Sequence, residues 1–168
     1  MASTYDLISS VTVGSGGAAD ITFSSIPATY TDLNLFISTR SLRSNVDDEL
    51  LITFNSSTSN YSWRRLLGEN TASSDNSTTR VMIMGNGNTA TANTFASSSV
   101  YIPNYAGSNY KSLSIDAVSE NNASTAPRQL VAGLWSDSTA ITSIALTSNT
   151  ANNFMQYSTA YLYGISSS

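Results

Sequence analysis

The stretch YKSLSIDAV, residues 110–118, alternates apolar and polar side chains. Leu113, Ile115 and Ala117 occupy one parity, and serine or aspartate occupies the positions between them. Successive side chains of a β-strand point to opposite faces of a sheet, so this period of two predicts a strand with one face on a core and the other in water. Such alternation is typical of antiparallel sheets.

Short strands of this kind are predicted along the whole chain. Clusters of Gly, Pro, Asn and Ser separate them and supply turns. The further candidates are residues 6–13, 21–23, 33–37, 50–54, 61–67, 80–84, 99–102, 128–135, 140–146 and 156–165. No segment repeats apolar residues with a helical period, so helix should be minimal, and residues 43–49 and 68–79 are expected to be loops or a short turn.

This pattern of about ten short strands predicts an all-β fold, an antiparallel β-sandwich. A jelly roll is the expected arrangement within that class. No shift in composition divides the chain, so residues 1–168 are expected to form a single β-sandwich domain.

Two strand candidates carry a finer prediction. In residues 6–13, the side chains of Leu7, Val11 and Val13 are expected on one side of the sheet. Residues 130–135 are apolar at both parities, which predicts a central strand that is covered on both faces.

The composition argues against several classes of function. The chain has no His and no Cys, 11% charged residues and a net charge of −4. These absences exclude Ser-His-Asp catalysis and His or Cys zinc sites, and the scarcity of Lys and Arg argues against nucleic-acid binding. We therefore expect no enzyme activity, no catalytic residues and no cofactor.

The chain has no apolar run long enough for a membrane span, so no membrane insertion is expected. Its first residues lack the basic flank and apolar core of a signal peptide. Synthesis in the cytoplasm of the producing cell is therefore expected.

Asp47, Asp48 and Glu49 form the only acidic cluster in the sequence. Carboxylates together with the nearby Asn45 could supply oxygen ligands to calcium, but the spacing of an EF-hand loop is absent. A solvated acidic loop is the favoured interpretation, and no metal is expected.

Two turns combine asparagine with tyrosine or glycine and are candidates for contact with a partner. Tyrosine offers an apolar ring with a polar tip, and amides suit sugar hydroxyl groups. The candidate contacts to a protein partner or a glycan are Asn86, Asn88, Tyr105, Asn109 and Tyr110.

Aromatic residues on strands have two expected places. Trp63 and Trp135 lie within strand patterns and are expected in the core. Tyr157, Tyr161 and Tyr163 share one parity near the C-terminus. Their rings suit a core or subunit interface, with a glycan-stacking platform as the alternative.

Three longer stretches carry a resemblance to a known group of proteins. They are YDLISSVTVGSGGAADITFSSIPATYTDLNLFISTRS at residues 5–41, YIPNYAGSNYKSLSIDAVSENN at 101–122 and GLWSDSTAITSIALTSNTANNFMQYSTAYLYGI at 133–165. In this order they resemble small virion structural proteins and terminal fibre modules of tailed bacteriophages that infect cyanobacteria. The resemblance covers most of the chain but contains no catalytic motif.

The resemblance implies a virion protein that is assembled in the host cytoplasm and acts as a homo-oligomer, with a trimer expected. Its first implied function is structural, as a capsid decoration or cement protein or a fibre subunit whose partners are other virion proteins. The alternative is a tail-fibre receptor-binding module that recognises host surface glycans.

Overall fold

A computed structural model describes residues 4–69, 71–120 and 126–166, which form twelve β-strands. These residues contain no helix, and hence none that could cross a membrane. The strands are β1 (Tyr5–Thr12), β2 (Asp20–Phe23), β3 (Asp32–Ser38), β4 (Asp47–Phe54), β5 (Tyr61–Gly68), β6 (Ala72–Ser77), β7 (Met82–Asn86), β8 (Ser97–Pro103), β9 (Lys111–Val118), β10 (Arg128–Trp135), β11 (Ile144–Ser148) and β12 (Thr159–Ile165).

The strands form two sheets that share one hydrophobic core. The larger sheet has eight strands in the order β1-β12-β3-β8-β9-β10-β5-β6, and the smaller has four in the order β2-β11-β4-β7. Every neighbouring pair is antiparallel. Buried apolar side chains from both sheets form a single cluster. The prediction of an all-β antiparallel sandwich is confirmed.

The alternation of residues 110–118 describes strand β9 correctly. Leu113, Ile115 and Ala117 are buried in the core, while Ser114 and Asp116 are exposed on the opposite face. We call this exposed face of the eight-stranded sheet, which turns away from the four-stranded sheet, the outer face.

Strand β1 departs from simple alternation because it contains a β-bulge. Its register with β12 shifts between Leu7 and Ser9, so the intervening residue reverses the parity of the strand. Ile8 and Val11 pack against the core, and Leu7 is 53% exposed. The prediction that Leu7 lies on the same side as Val11 and Val13 is therefore wrong.

Strand β10 is covered on one face only, which corrects the prediction for residues 130–135. Val131 and Trp135 point into the core, but Leu130 is 56% exposed on the outer face. A central position in a sheet pairs the backbone of a strand on both sides. It does not by itself supply a layer over each face.

Strand β4, in contrast, is buried on both faces. Leu50 and Ile52 face the core, and Leu51 and Thr53, at the opposite parity, are also buried. The guanidinium group of Arg80 donates to Thr53 Oγ1 at 3.3 Å on this second face. Strands β4 and β10 both contain a contiguous apolar run, so such a run by itself does not distinguish double from single coverage.

Strand β6 lies within residues 68–79, which were expected to be a loop. Its side chains are almost all exposed because it is the last strand of the large sheet, so it shows no apolar alternation. Similarly, β4 begins at Asp47 within the expected loop 43–49, because it pairs with β7 from that residue onward. Backbone pairing decides both strands.

Candidate functional site

Two of the five predicted contact residues are buried. The Tyr105 side chain is fully buried, and its hydroxyl group donates to the carbonyl oxygen of Pro27. Asn86 is also fully buried; its amide donates to Thr94 Oγ1 at 3.0 Å and accepts a hydrogen bond from Ser119. Both residues hold loops in place, so the expectation that they contact a partner or glycan is corrected.

The other three predicted contacts are exposed but do not form one site with each other. They are Asn88, Asn109 and Tyr110. Asn109 and Tyr110 lie in a loop that begins next to Asn104. The N–H of Asn104 donates to Asp32, at the start of β3, at 2.9 Å. Asn88 instead lies two residues after Asn86, whose N–H donates to the carbonyl oxygen of Thr39, just after the end of β3. Seven strand residues span roughly 20 Å, so the two turns lie at opposite ends of the sandwich.

The acidic cluster forms the start of β4 rather than a solvated loop. Strand geometry directs Asp48 to the opposite face from Asp47 and Glu49. Arg43 Nη1 lies 3.6 Å from Asp47 and 3.9 Å from Asp48, and Arg65 pairs with Glu49 at 3.0 Å. Among the residues that the structure describes, no three acidic side chains converge as a metal site would require.

Asp48 is a buried carboxylate in a polar pocket of the core. Neither of its oxygens makes a hydrogen bond of normal length and angle, and neither does the buried Thr39 hydroxyl group. Burial raises the pKa of Asp48, and the nearby Ser41, Ser148 and Arg43 oppose this rise only in part.

Two buried cations shape the loops that carry the exposed candidates. Arg40 donates to the carbonyl oxygens of Thr91 at 2.6 Å, Ala90 at 2.8 Å and Asn88 at 3.0 Å. Sequence reasoning missed this role, because nothing in the local pattern around Arg40 marks it as buried.

Lys111 plays the same role for the loop before β9. Its Nζ donates to the carbonyl oxygens of Gly107, at 2.8 Å, and Asn109, and burial lowers the pKa of this amine. A sequence signal for its burial does exist, since Lys111 has the same parity as Leu113 and Ile115.

Most of the exposed large apolar side chains lie on the outer face. Seven of the ten in the described part of the chain are there, which marks this face as the best candidate for contact with another molecule. These seven are Tyr5, Leu7, Phe36, Leu66, Tyr101, Leu130 and Tyr161.

The first half of the outer face, formed by β1, β12, β3 and β8, carries an aromatic patch. This patch consists of Tyr5, Phe36, Tyr101, Tyr161 and Tyr163. The ring of Tyr163 meets Phe36 edge-on at a centroid distance of 5.9 Å and Tyr5 at 6.3 Å. Two of the three tyrosines predicted to share a parity thus belong to this patch, whereas Tyr157 precedes β12.

Two polar side chains, Asp32 and Asn34, border the aromatic patch. The Tyr101 hydroxyl group donates to Asp32 Oδ2 at 2.7 Å, and this hydrogen bond raises the pKa of Tyr101. Asn34, which pairs with both Tyr163 and Tyr101 across the sheet, accepts a hydrogen bond from Ser99 at 3.1 Å.

The second half of the outer face, formed by β9, β10, β5 and β6, carries a leucine–arginine patch. This patch consists of Arg64, Leu66, Arg128, Leu130 and Ala132. The register places Leu130 opposite Leu66 and Ala132 opposite Arg64. Leu66 is 61% exposed and Leu130 56%. Arg64 and Arg128 are exposed, and neither forms an ion pair or hydrogen bond with the described residues.

Three adjoining depressions form one trough along β5 and β10. The two larger ones, of about 480 and 460 Å³, share Leu66 and Leu130. The first of these also shares Arg64 and Ala132 with a third depression of about 380 Å³, which reaches Leu134. Strand β6 lines one side, and β9 lines the other side of the two larger depressions.

The floor of the trough is anchored from beneath by Arg65. Its guanidinium group donates to Asp75 of β6 at 2.7 and 2.9 Å and to Glu49 of β4 at 3.0 Å, and lies 5.4 Å from the centre of the Trp63 ring. One side chain thereby ties the edge of the large sheet to the small sheet.

Sequence reasoning missed the trough because an isolated Leu66 or Leu130 reads as a core residue. The signal that could have found it is the apolar character of residues 130–135 at both parities, once β10 is known to be covered on one face only. Comparisons with protein-family models, curated proteins and solved structures found no match. The function is therefore argued from the outer face itself.

Proposed function

We propose that the protein is a non-enzymatic structural subunit of a tailed-phage virion, a capsid decoration or cement protein or a fibre subunit, that acts through protein–protein contacts. The observation that carries the contact mechanism is the exposure of Leu66 and Leu130 on paired strands of the large sheet. Covering apolar surface contributes roughly 25 cal/mol per Å², so a partner that buries these side chains gains affinity.

The virion location rests on the resemblance of residues 5–41, 101–122 and 133–165 to phage structural proteins. Assembly in the host cytoplasm and a homotrimeric state belong to the same proposal and have the same support. Weak contacts at each subunit would add up on a particle that carries many copies.

The finer architecture that we propose is a jelly roll. If β5, β6, β9 and β10 are set aside and the other eight strands are numbered in chain order, the sheets read 1-8-3-6 and 2-7-4-5. This order supports two Greek keys folded into a double sheet. The four remaining strands then form two inserted hairpins, β5-β6 and β9-β10.

Recognition of host surface glycans is the second candidate function, and the aromatic patch favours it. Phe36 and Tyr161 expose ring surface, while Asn34 and Asp32 supply polar groups beside the rings. Sugars bind to such combinations of aromatic surface and hydrogen-bonding groups. The contact site would then be the sheet face rather than the loops.

The first experiment is labelling of intact virions of the encoding phage with an antibody that recognises the folded protein, viewed by negative-stain microscopy. Label over the heads supports the decoration function, and label at tail ends makes host attachment the leading function. Absence of label on the particles would contradict the virion proposal.

A second experiment tests whether the protein stabilises the particle or is only attached to it. Particles that lack the protein are incubated with the purified chain and heated, and release of the genome is followed by dye fluorescence. A cement protein binds and raises the temperature of release. Binding without protection would favour recognition, which selective binding to a glycan array then tests.

A further inference from the structure

We propose that the trough binds an extended segment of a partner protein in which two acidic side chains flank an apolar one, with the spacing acidic-x-apolar-x-acidic. The inference deepens the proposed function, since it names the chemistry of the segment that a structural subunit of this kind would capture. It rests on the shape of the trough, on its two exposed arginines and on the register of its strands.

The shape favours a narrow occupant. The trough follows β5 over residues 62–68, a length of roughly 20 Å, which matches about six residues of extended chain. The same face of a second copy would not fill it, because two facing depressions leave a void where a stable interface needs close packing. An extended segment can enter all three depressions.

The charges favour an acidic occupant. Five of the seven Lys and Arg side chains already make hydrogen bonds within the protein: Arg40, Arg43, Arg65, Arg80 and Lys111. The two that make none with the residues that the structure describes, Arg64 and Arg128, both lie on the trough. Guanidinium groups pair with carboxylates in a two-bond geometry, so these two side chains offer defined positions for acidic groups.

The register gives the spacing. Along β10 the trough shows Arg128, then Leu130 opposite Leu66, then Ala132 opposite Arg64. Each step is two residues, so the two arginines lie two steps apart with the leucine pair between them. In an extended segment that runs along the strands, side chains i, i+2 and i+4 face the same way. Positions i and i+4 would carry the acids, and position i+2 the apolar side chain.

The polar neighbours agree with this assignment. Asp116 of β9 pairs with Leu130 and lies beside the centre of the trough. Its charge disfavours an acidic side chain at the central position and leaves the apolar one favoured. Ser74 and Asn76 on β6 and Ser114 on β9 line the sides, where they can bond to the backbone of the segment.

The test is selection of a displayed library of random ten-residue peptides on the immobilised full-length chain. We expect enriched peptides to carry Asp or Glu at i and i+4 around Leu, Ile, Val or Phe at i+2. Synthetic versions are then titrated by fluorescence anisotropy. The double variant R64Q/R128Q should weaken binding by at least about tenfold, and exchange of both peptide acids for lysine should do the same.

The matched control is R80Q, which removes one positive charge away from the trough, where Arg80 contacts Thr53. It should leave peptide affinity unchanged. The proposal is overturned if no peptide is enriched, if enriched peptides are basic or lack the spacing, or if R64Q/R128Q binds as well as the original chain. Self-association by ultracentrifugation that R64Q/R128Q abolishes would also overturn it, since the occupant would then be a second copy.

Failure of this inference and failure of the proposed function are distinguishable. If the chain binds particles and R64Q/R128Q binds them equally well, the structural function stands and the trough assignment is wrong. If the peptides bind as expected and virions carry no label, the trough assignment stands and the virion proposal is wrong.

Discussion

At the residue scale, two buried cations hold loops of this protein in place. Arg40 and Lys111 are both buried without an ion pair in the described part of the chain, and both donate to loop carbonyl groups. These carbonyl oxygens replace the water that burial removes. Each cation therefore specifies the course of a loop that would otherwise be a flexible polar segment.

Replacement of Arg40 by methionine should destabilise the protein by about 3 kcal/mol, because the carbonyl groups of Asn88, Ala90 and Thr91 lose their donor. Urea unfolding followed by tryptophan fluorescence measures this change. The control R128M replaces an exposed arginine that has no partner among the described residues, and it should shift stability by no more than about 0.5 kcal/mol. Equal effects of the two variants would contradict the role assigned to Arg40.

The buried Asp48 gives a pH prediction of definite sign. Its pKa is raised in the folded protein, so between the unfolded and folded pKa the folded state binds more protons, and the contribution of this group to stability falls as pH rises. D48N should therefore be more stable than the original chain at pH 7, with the difference shrinking toward pH 4. Thermal unfolding across this range measures it.

The control for this prediction is D47N, which changes the neighbouring, partly exposed carboxylate. Asp47 is only partly buried and lies 3.6 Å from Arg43 Nη1, so D47N should not stabilise the protein at pH 7. A gain for D48N that is the same at pH 4 and pH 7 would mean that packing, rather than charge, is responsible.

At the element scale, the edge strand β6 is held by backbone pairing and by one side chain of the neighbouring strand, Arg65. Every side chain of β6 is exposed or half-buried, so burial contributes little to its position. Its pairing with β5 and the two hydrogen bonds from Arg65 to Asp75 hold it instead. The trough depends on this strand for one of its sides.

R65M should destabilise the protein by about 2 kcal/mol, between the values typical of exposed and of buried ion pairs. It should also speed hydrogen exchange of the backbone amides of Ala72–Ser77 selectively, because β6 loses its anchor. Mass-spectrometric hydrogen exchange provides the readout. The control R64M changes the next residue, on the other face of β5, and should leave β6 protected.

Close packing of β12 depends on the absence of one side chain. A Cβ atom at Gly164 would lie 2.3 Å from the Tyr30 ring, so the ring covers the glycine directly. G164A should cost about 1–3 kcal/mol, as expected for overpacking, in a thermal or urea unfolding experiment. G16A is the control, since nothing lies within 4 Å of a Cβ there. A stable G164A would show that Tyr30 moves without penalty.

How well an element could be predicted depended on how local its cause is. Strand β10 was predicted with its observed bounds, because a short apolar run between flanking turns suffices to mark it. The bulge in β1 and the existence of β6 could not be predicted, because both are set by the strand across the ladder. The same holds for the site. Asn86 and Tyr105 lie in polar turn sequences typical of a surface, yet both side chains are buried.

At the scale of the whole molecule, we expect the exposed apolar side chains of the outer face to contribute to binding and little to the stability of the subunit. Leu66 and Leu130 are exposed in the isolated subunit, so they stabilise it little. The double variant L66S/L130S should keep its melting temperature within about 2 °C, a shift that corresponds to roughly 0.5–1 kcal/mol for a chain of this size. It should nevertheless lose retention on particles, measured by co-sedimentation.

A matched control for that experiment is F36S/Y161S, which changes the aromatic patch on the same sheet. Retention that depends on the leucines alone assigns the contact to the trough, whereas retention that depends on the aromatic pair alone assigns it to the first half of the outer face. Loss in neither variant would contradict a role for the outer face in assembly.

The sequence by itself determined that this protein is all-β and where most of its strands lie. The reason is that a period of two and turn residues act within a few positions of the chain. Only the tertiary structure decided which apolar residues are core and which are surface. Leu130 and Val131 are neighbours in sequence and equally apolar, yet one is exposed and the other buried. That difference depends on which face of the sheet the second layer covers, and distant strands set it.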